Sequence, residues 1–381
     1  MRSLSFQPPS TVWWTRISAI PQRTLLLGLT LLATLTRTGA YWDLQWHAVV
    51  GRDQFWIPPH TLIYGGVALA GLLSFLVVLR DGAARGWARP LPWPWLLATA
   101  GSGLLVLAAP FDDLWHGRFG IDVTIWSPPH MVGVVGTWFV QMGALVGWLG
   151  EYRRDLRRSS VLGVVWSGAL LVTMLNFGIV PAVRWSVTQP AAATVYALGG
   201  SLFIPWVFVT VTYASKLRWL PLALVSGLLV LRLLDLAVHT WSIAVVVPWW
   251  GEALRRGGIG AAAINRHFWT HLALNVVPAV VVSIAAFIRP PATARWAILT
   301  GLAAGVGIVA AVLVLRTGVI IPVNRITQDR DYRAEFVPFM RVFGTSDALA
   351  WGYALVGGAL SGWAGWAITH LVPRKVAVAQ T

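Results

Sequence analysis

Long apolar segments recur through the whole chain, separated by short polar connections. An apolar stretch of about 20 residues is long enough to cross a bilayer as a helix. Such stretches lie at 25–46, 60–79, 92–109, 129–149, 160–181, 195–213, 219–239, 269–288, 296–315 and 349–371. The sequence therefore predicts an all-α fold, a polytopic integral membrane helical bundle with about ten transmembrane helices.

The composition excludes an ordinary soluble globule. Hydrophobic residues make up 57% of the chain, charged residues only 11%, and the mean hydropathy is +0.67. This leaves too little polar surface to enclose such a core. The net charge of +15 does not indicate nucleic acid, because Lys and Arg are spread over short connections. The expected environment is the lipid bilayer.

The basic connections predict the orientation. Arg and Lys precede the first apolar run and follow the second, fourth, sixth, eighth and tenth. By the positive-inside rule, both termini are then cytoplasmic and the protein is integral to the cell (inner) membrane. The connections 47–59 and 111–128 fall on the extracytoplasmic side. So does the loop 316–348, an exception to the rule because it carries five arginines.

We expect one membrane domain over residues 1–381, because no polar stretch is long enough for a separate soluble fold. Within it, 25–150 forms two helical hairpins, 160–288 supplies the middle helices, and 289–381 supplies the C-terminal helices with the outer loop 316–348.

Each of the first two hairpins carries the same polar motif. The first is D-x3-H-x12-H in Asp43, His47 and His60; the second is D-x3-H-x13-H in Asp112, His116 and His130. Residues four apart share one face of a helix, so each Asp and its first His can bind one ion together. Paired prolines place the second His near the start of the following helix. We interpret the two motifs as metal sites.

A third, degenerate copy is predicted on the seventh and eighth helices. Asp235 and His239 repeat the D-x3-H spacing, and His267 and His271 open the next helix. These residues form a possible third metal cluster. The alternative is a buried polar cluster in which Arg232 neutralises Asp235. Arg37 in the first helix is expected to pair with an acid or to extend toward the interface.

The ligand types limit the metal. The chain has no cysteine, so imidazole and carboxylate must supply the ligands. Two imidazoles and one carboxylate suit copper, zinc or non-haem iron, and the Irving–Williams order favours copper. Haem is a further alternative, because histidines on adjacent helices can bind it axially.

The spacing of the six residues resembles that in the C subunit of the copper-containing membrane monooxygenases, the particulate methane and ammonia monooxygenase family. The resemblance covers 25–150 and implies a copper-dependent oxygenase, or the metal-bearing subunit of a multi-subunit one. It would make Asp43, His47 and His60 one copper site, and Asp112, His116 and His130 the other. Asp112 departs from the family pattern, which has Asn there.

The sequence leaves the electron donor and the substrate unknown, beyond a small or lipophilic molecule oxidised with O2. Other membrane subunits or a homo-oligomer are possible partners. Two other functions stay open: metal binding or transport, and bis-histidine haem or quinone redox chemistry. Asp53 and Asp122 are expected to cap loops, and His370 is expected to be structural at the cytoplasmic end.

Overall fold

The structure is a computed structural model that describes residues 20–51, 55–86, 92–120, 126–188, 193–254, 275–290, 292–316 and 346–373. Helix is the only regular secondary structure in these ranges. The helices are α1 (Gln22–Val49), α2 (Pro58–Arg85), α3 (Trp93–Phe119), α4 (Pro128–Asp155), α5 (Arg158–Thr188), α6 (Ala193–Phe203), α7 (Pro205–Ser215), α8 (Leu220–Trp241), α9 (Asn275–Ile288), α10 (Ala294–Arg316) and α11 (Asp347–Leu371). A π-helical stretch (Ser242–Val246) and a short α-helical turn (Val247–Trp249) continue α8 without a break.

Seven helical segments in the described ranges are long and apolar enough to cross a membrane. They correspond to α2, α3, α4, α5, α6 with α7, α8 and α10. The predicted count of about ten is therefore not supported, although a helical membrane bundle is. Helices α1 and α11 are long enough but lower in hydropathy: Arg37 and several threonines interrupt α1, and glycine and tryptophan are frequent in α11. The run at 269–288 is described only from 275, where α9 is a shorter apolar helix.

The first four helices form a ring. Each of the pairs α1–α2, α2–α3 and α3–α4 packs together, and α4 closes back on α1. Glycines allow close contact in α3–α4, where a Cβ on Gly101 would lie 2.4 Å from the Gly136 carbonyl oxygen. Helix α5 is the most buried span, and it contacts α1, α4 and α8. The α1–α2 and α3–α4 connections lie at the same end of the bundle.

Proline starts the helices that follow these two connections. Helix α2 begins at Pro58 and α4 at Pro128, as the sequence predicts, because the fixed φ of proline suits a first turn that needs no N–H donor. His60 and His130 are consequently the third residue of their helices, beside the ends of α1 and α3.

Candidate metal centres

The first cluster joins the end of α1 to the start of α2. Asp43 and His47 lie one turn apart on α1, and His60 faces them from α2. Oδ1 of Asp43 lies 3.3 Å from Nε2 of His47 and 3.1 Å from Nε2 of His60. The three ligand atoms lie within 4.8 Å of one another. The hairpin thus assembles all three residues of the first predicted motif.

The second cluster repeats this arrangement between α3 and α4. Nε2 of His116 lies 3.5 Å from Oδ2 of Asp112, and Nε2 of His130 lies 3.5 Å from Oδ1 of the same carboxylate. These ligand atoms also fall within 4.8 Å of one another. The imidazole centroids are 6.1 Å apart here and 6.3 Å apart in the first cluster.

The spacing suits ligands of one ion. Two donors that each lie about 2.0–2.1 Å from a shared metal in tetrahedral or trigonal geometry are about 3.3–3.6 Å from each other. The measured separations of 3.1–3.5 Å fall near this range. They exceed the roughly 2.7–2.9 Å of a charge-assisted hydrogen bond between imidazolium and carboxylate.

Backbone carbonyls orient two of the four imidazoles. Nδ1 of His60 lies 3.2 Å from the Phe55 carbonyl oxygen, and Nδ1 of His116 lies 2.9 Å from that of Gly120. A carbonyl oxygen only accepts, so Nδ1 carries the proton in each ring. In the neutral ring, Nε2 then directs a lone pair at the carboxylate, an arrangement that a cation between them stabilises.

Ser127 orients His130 in the second cluster. Its Oγ lies 3.0 Å from Nδ1 of His130. Ser127 occupies the N-cap position of α4, yet its side chain makes no capping hydrogen bond to the helix. The hydroxyl therefore forms a hydrogen bond with the imidazole and does not cap the helix.

The residues of both clusters fit a metal ion by their donor chemistry. Oδ1 of Asp43 supplies a further observation: it is buried and accepts no hydrogen bond of normal geometry, although two imidazole nitrogens lie close to it. A buried carboxylate oxygen of this kind is stabilised by a cation. Imidazole and carboxylate ligands are compatible with copper, zinc and non-haem iron alike.

The two clusters differ in exposure. The side chain of His60 is 8% exposed, whereas that of His130, its counterpart, is 32% exposed. Trp46 is fully buried next to His47 and packs against Trp42. Around the second cluster, α3 turns large apolar side chains outward, including Leu114 and Phe119, which are 72% and 67% exposed.

The proposed third cluster is built differently. Both carboxylate oxygens of Asp235 accept hydrogen bonds from Arg37, and Nη1 of Arg232 lies 3.2 Å from Oδ2. Two guanidinium groups thus engage the carboxylate that a metal would need. This geometry favours the buried polar cluster over a third metal site. His239 is buried one turn away, and His267 and His271 lie outside the described residues.

Tyr41 and Thr173 complete this buried network, and neither was identified from the sequence. The Tyr41 hydroxyl donates to the Thr173 carbonyl oxygen at 2.8 Å, and both guanidinium groups lie over the Tyr41 ring, at 4.0 and 4.6 Å. Nε of Arg37 donates to Oγ1 of Thr173 at 3.2 Å. The sequence signal that could have identified Tyr41 is its position one helical turn after Arg37, on the same face of the helix.

Three other predictions have separate outcomes. Arg37 does pair with an acid, as expected. Asp53 and Asp122 lie outside the described residues. His370 lies near the C-terminal end of α11 and packs edge-on against Trp366, with ring centroids 4.5 Å apart.

No protein-family model matches the chain, and the comparisons with curated proteins and with solved structures found no match either.

Proposed function

We propose that this protein is a copper-dependent, membrane-bound oxygenase, or the metal-bearing subunit of one. The observation that carries the proposal is the assembly of two Asp/His/His clusters at one end of a helical bundle. The resemblance of the six residues to the copper-containing membrane monooxygenases gives the reaction class. The preference for copper rests on ligand type and the Irving–Williams order.

The chain's own residues hold and orient the metal in this proposal. Asp43 and Asp112 supply the negative charge that balances a cation, and the carbonyls of Phe55 and Gly120 keep Nε2 of their histidines directed at it. Copper bound there would supply redox chemistry with dioxygen. Trp42 and Trp46 are buried in an apolar cluster with Ile57 at the same hairpin.

The exposed apolar face of α3 suits a lipophilic substrate. Phe111 precedes Asp112 in sequence and Leu114 lies two residues after it; their side chains are 39% and 72% exposed. A molecule dissolved in the bilayer can reach the second cluster across this face without passing through water. Orientation with both termini in the cytoplasm and the clusters at the extracytoplasmic side is part of the proposal, as are partner subunits and an external electron donor.

Two alternatives fit the geometry less well. A porphyrin ligated by both histidines of the first cluster would meet the Asp43 carboxylate, which lies within 3.3 Å of both Nε2 atoms. A metal ion transported along the bundle would approach the buried guanidinium groups of Arg37 and Arg232, which repel cations.

The test combines metal analysis with activity. The full chain is purified in detergent as wild type and as a His60→Ala, His130→Ala double variant, and each is analysed for metal content and optical spectrum. We expect copper in the wild type, its loss in the folded double variant, and copper-dependent oxidation of small lipophilic substrates with O2 and a reductant. Zinc or iron in place of copper, a Soret band, or full oxygenase activity in metal-free protein would contradict the proposal.

A further inference from the structure

A cavity of about 400 Å³ lies at the opposite end of the bundle from the two clusters. Arg153, near the C-terminal end of α4, borders it, and His130, in the first turn of the same helix, lies about 35 Å away at 1.5 Å per residue. The linker after α7, the α9–α10 connection and the end of α11 complete the walls. Its volume falls within the roughly 300–1,000 Å³ of small-ligand pockets.

The charge on the cavity wall is positive. Arg153, Lys216 and His370 contribute basic side chains, and no acidic residue is among the described residues that line it. The acids closest in sequence to Arg153 are held elsewhere. Glu151 pairs with Arg23 and Arg154, and Asp155 pairs with Arg23 and Arg157.

Backbone carbonyls fix the Arg153 guanidinium at this wall. Nε donates to the Ala214 oxygen at 3.0 Å, and Nη1 donates to the oxygens of Thr369 and Val372 at 3.0 and 3.1 Å. These bonds join α4 to the ends of α7 and α11 without adding a formal negative charge. The guanidinium is therefore held in place before any ligand arrives, which lowers the entropic cost of binding.

Lys216 adds a second cation beside the first. It directly follows α7 with a left-handed φ of 65°, and its backbone N–H donates to the Thr212 oxygen. Partial burial and the nearby Arg153 guanidinium lower the pKa of Lys216. Both effects oppose its positive charge, so an anion bound between the two groups would relieve them.

His370 adds an imidazole to the same wall. Its ring packs against Trp366, which also lines the cavity. A fixed guanidinium, an ammonium and an imidazole around one space form a set that recognises a phosphate oxygen.

We propose that this cavity binds the phosphate group of an anionic ligand through Arg153, Lys216 and His370. Two sources share that chemistry: the headgroup of an anionic phospholipid and free inorganic phosphate. Exposed apolar residues close in sequence to the lining favour the lipid: Leu371 follows His370 and is 55% exposed, and Ile288, four residues before Ala292, is 73% exposed. Basic pockets between membrane helices are known sites for such headgroups. This inference does not depend on the proposed oxygenase activity.

The experiment measures binding to the full chain after delipidation in detergent, by native mass spectrometry and calorimetry. The probes are short-chain phosphatidylglycerol, short-chain phosphatidylcholine and sodium phosphate. The test variants are Lys216→Gln and the Lys216→Gln, His370→Gln double variant. The matched control is Arg154→Gln with Arg157→Gln, which removes two positive charges at the same end but outside the cavity.

We expect wild type to bind phosphatidylglycerol at least tenfold more tightly than phosphatidylcholine. The double variant should lose at least tenfold of this affinity, the single variant an intermediate amount, and the control less than twofold. Inorganic phosphate that binds as tightly as phosphatidylglycerol would identify free phosphate as the source. Equal binding of both lipids without phosphate binding, or full affinity in the folded single variant, would overturn the proposal. The comparison of the two lipids on wild-type protein tests the proposal even if the double variant does not fold.

Discussion

The spacing D-x3-H occurs on three helices of this protein, and it has two different outcomes. At Asp43 and Asp112 the carboxylate faces two imidazoles that belong to one hairpin. At Asp235 the same spacing places the carboxylate against Arg37 and Arg232. The difference shows that a carboxylate and an imidazole one turn apart do not define a metal site. The third partner differs: a second imidazole adds a further possible metal ligand, whereas a guanidinium neutralises the carboxylate.

The difference in burial explains why Asp235 is paired with arginine, whereas Asp43 and Asp112 face histidines. Asp235 and Arg37 are almost completely buried within the bundle. A buried carboxylate without a countercharge is costly, and the bidentate guanidinium offsets this cost. The Asp/His/His clusters lie at helix ends, where water and ions have access. The bundle thus combines an ion pair that joins α1 to α8 with clusters that remain open to metal.

The largest expected effect comes from breaking the ion pair between Arg37 and Asp235. Arg37→Leu leaves Asp235 buried with only Arg232 as a guanidinium partner, and we expect a loss of about 3–5 kcal/mol in the free energy of unfolding. Chemical unfolding in detergent measures it. The control is the triple variant Arg37→Leu, Arg232→Leu, Asp235→Leu, because it leaves no unpaired charge in the core and should restore much of the stability. A single variant as stable as wild type would mean that the ion pair contributes nothing.

The next prediction distinguishes the three copies of the D-x3-H motif by how a histidine substitution in each changes the bound metal. His47→Gln should remove the metal of the first cluster alone, and His116→Gln that of the second alone, because each takes away one ligand of three. His239→Gln should leave the metal content unchanged, since Asp235 is already paired with arginine. Elemental analysis of folded protein tests all three variants. Loss of metal in His239→Gln would restore the third cluster as a binding site.

The sequence predicted the hairpins and both clusters because their information is local. A helical turn joins Asp43 to His47, and a short proline-started connection brings His60 to them. The pairing of Arg37 with Asp235 is different. It joins residues that are 198 positions apart, and only the packing of α1 against α8 specifies it. The sequence indicated that each charge needed a partner, but it could not select that partner.

The number of spanning helices could be predicted only approximately for a related reason. Hydropathy measures composition and not packing. Arg37 lowers the mean hydropathy of α1, yet the bundle accommodates this charged residue because Asp235 pairs with it. The run at 195–213 is confirmed as one candidate span, Ala197–Ser215, although the chain bends at Ile204 before Pro205 and divides it into α6 and α7.

A smaller effect distinguishes the two clusters by how their histidines are oriented. Ser127→Ala removes the hydroxyl next to Nδ1 of His130, and we expect a loss of about 10–100-fold in metal affinity at the second cluster. The first cluster should be unaffected, because the Phe55 backbone carbonyl orients His60. Metal titration in a His47→Gln background isolates the second cluster. Unfolding should change little, since Ser127 makes no side-chain cap to α4. Unchanged affinity would show that the hydroxyl does not support the ligand.

The smallest expected effect is a difference in the rate of metal loss. The side chain of His130 is 32% exposed and that of His60 is 8% exposed. A water-soluble chelator should therefore reach the second cluster more readily. Metal removal should therefore follow two phases, with the fast phase absent in His116→Gln and the slow phase absent in His47→Gln. Rapid-mixing absorbance with a coloured chelator measures both phases. A single phase in wild type, with equal rates in the two variants, would show that local opening of the hairpins controls release. The static exposure of the two imidazoles would then have no bearing on metal exchange.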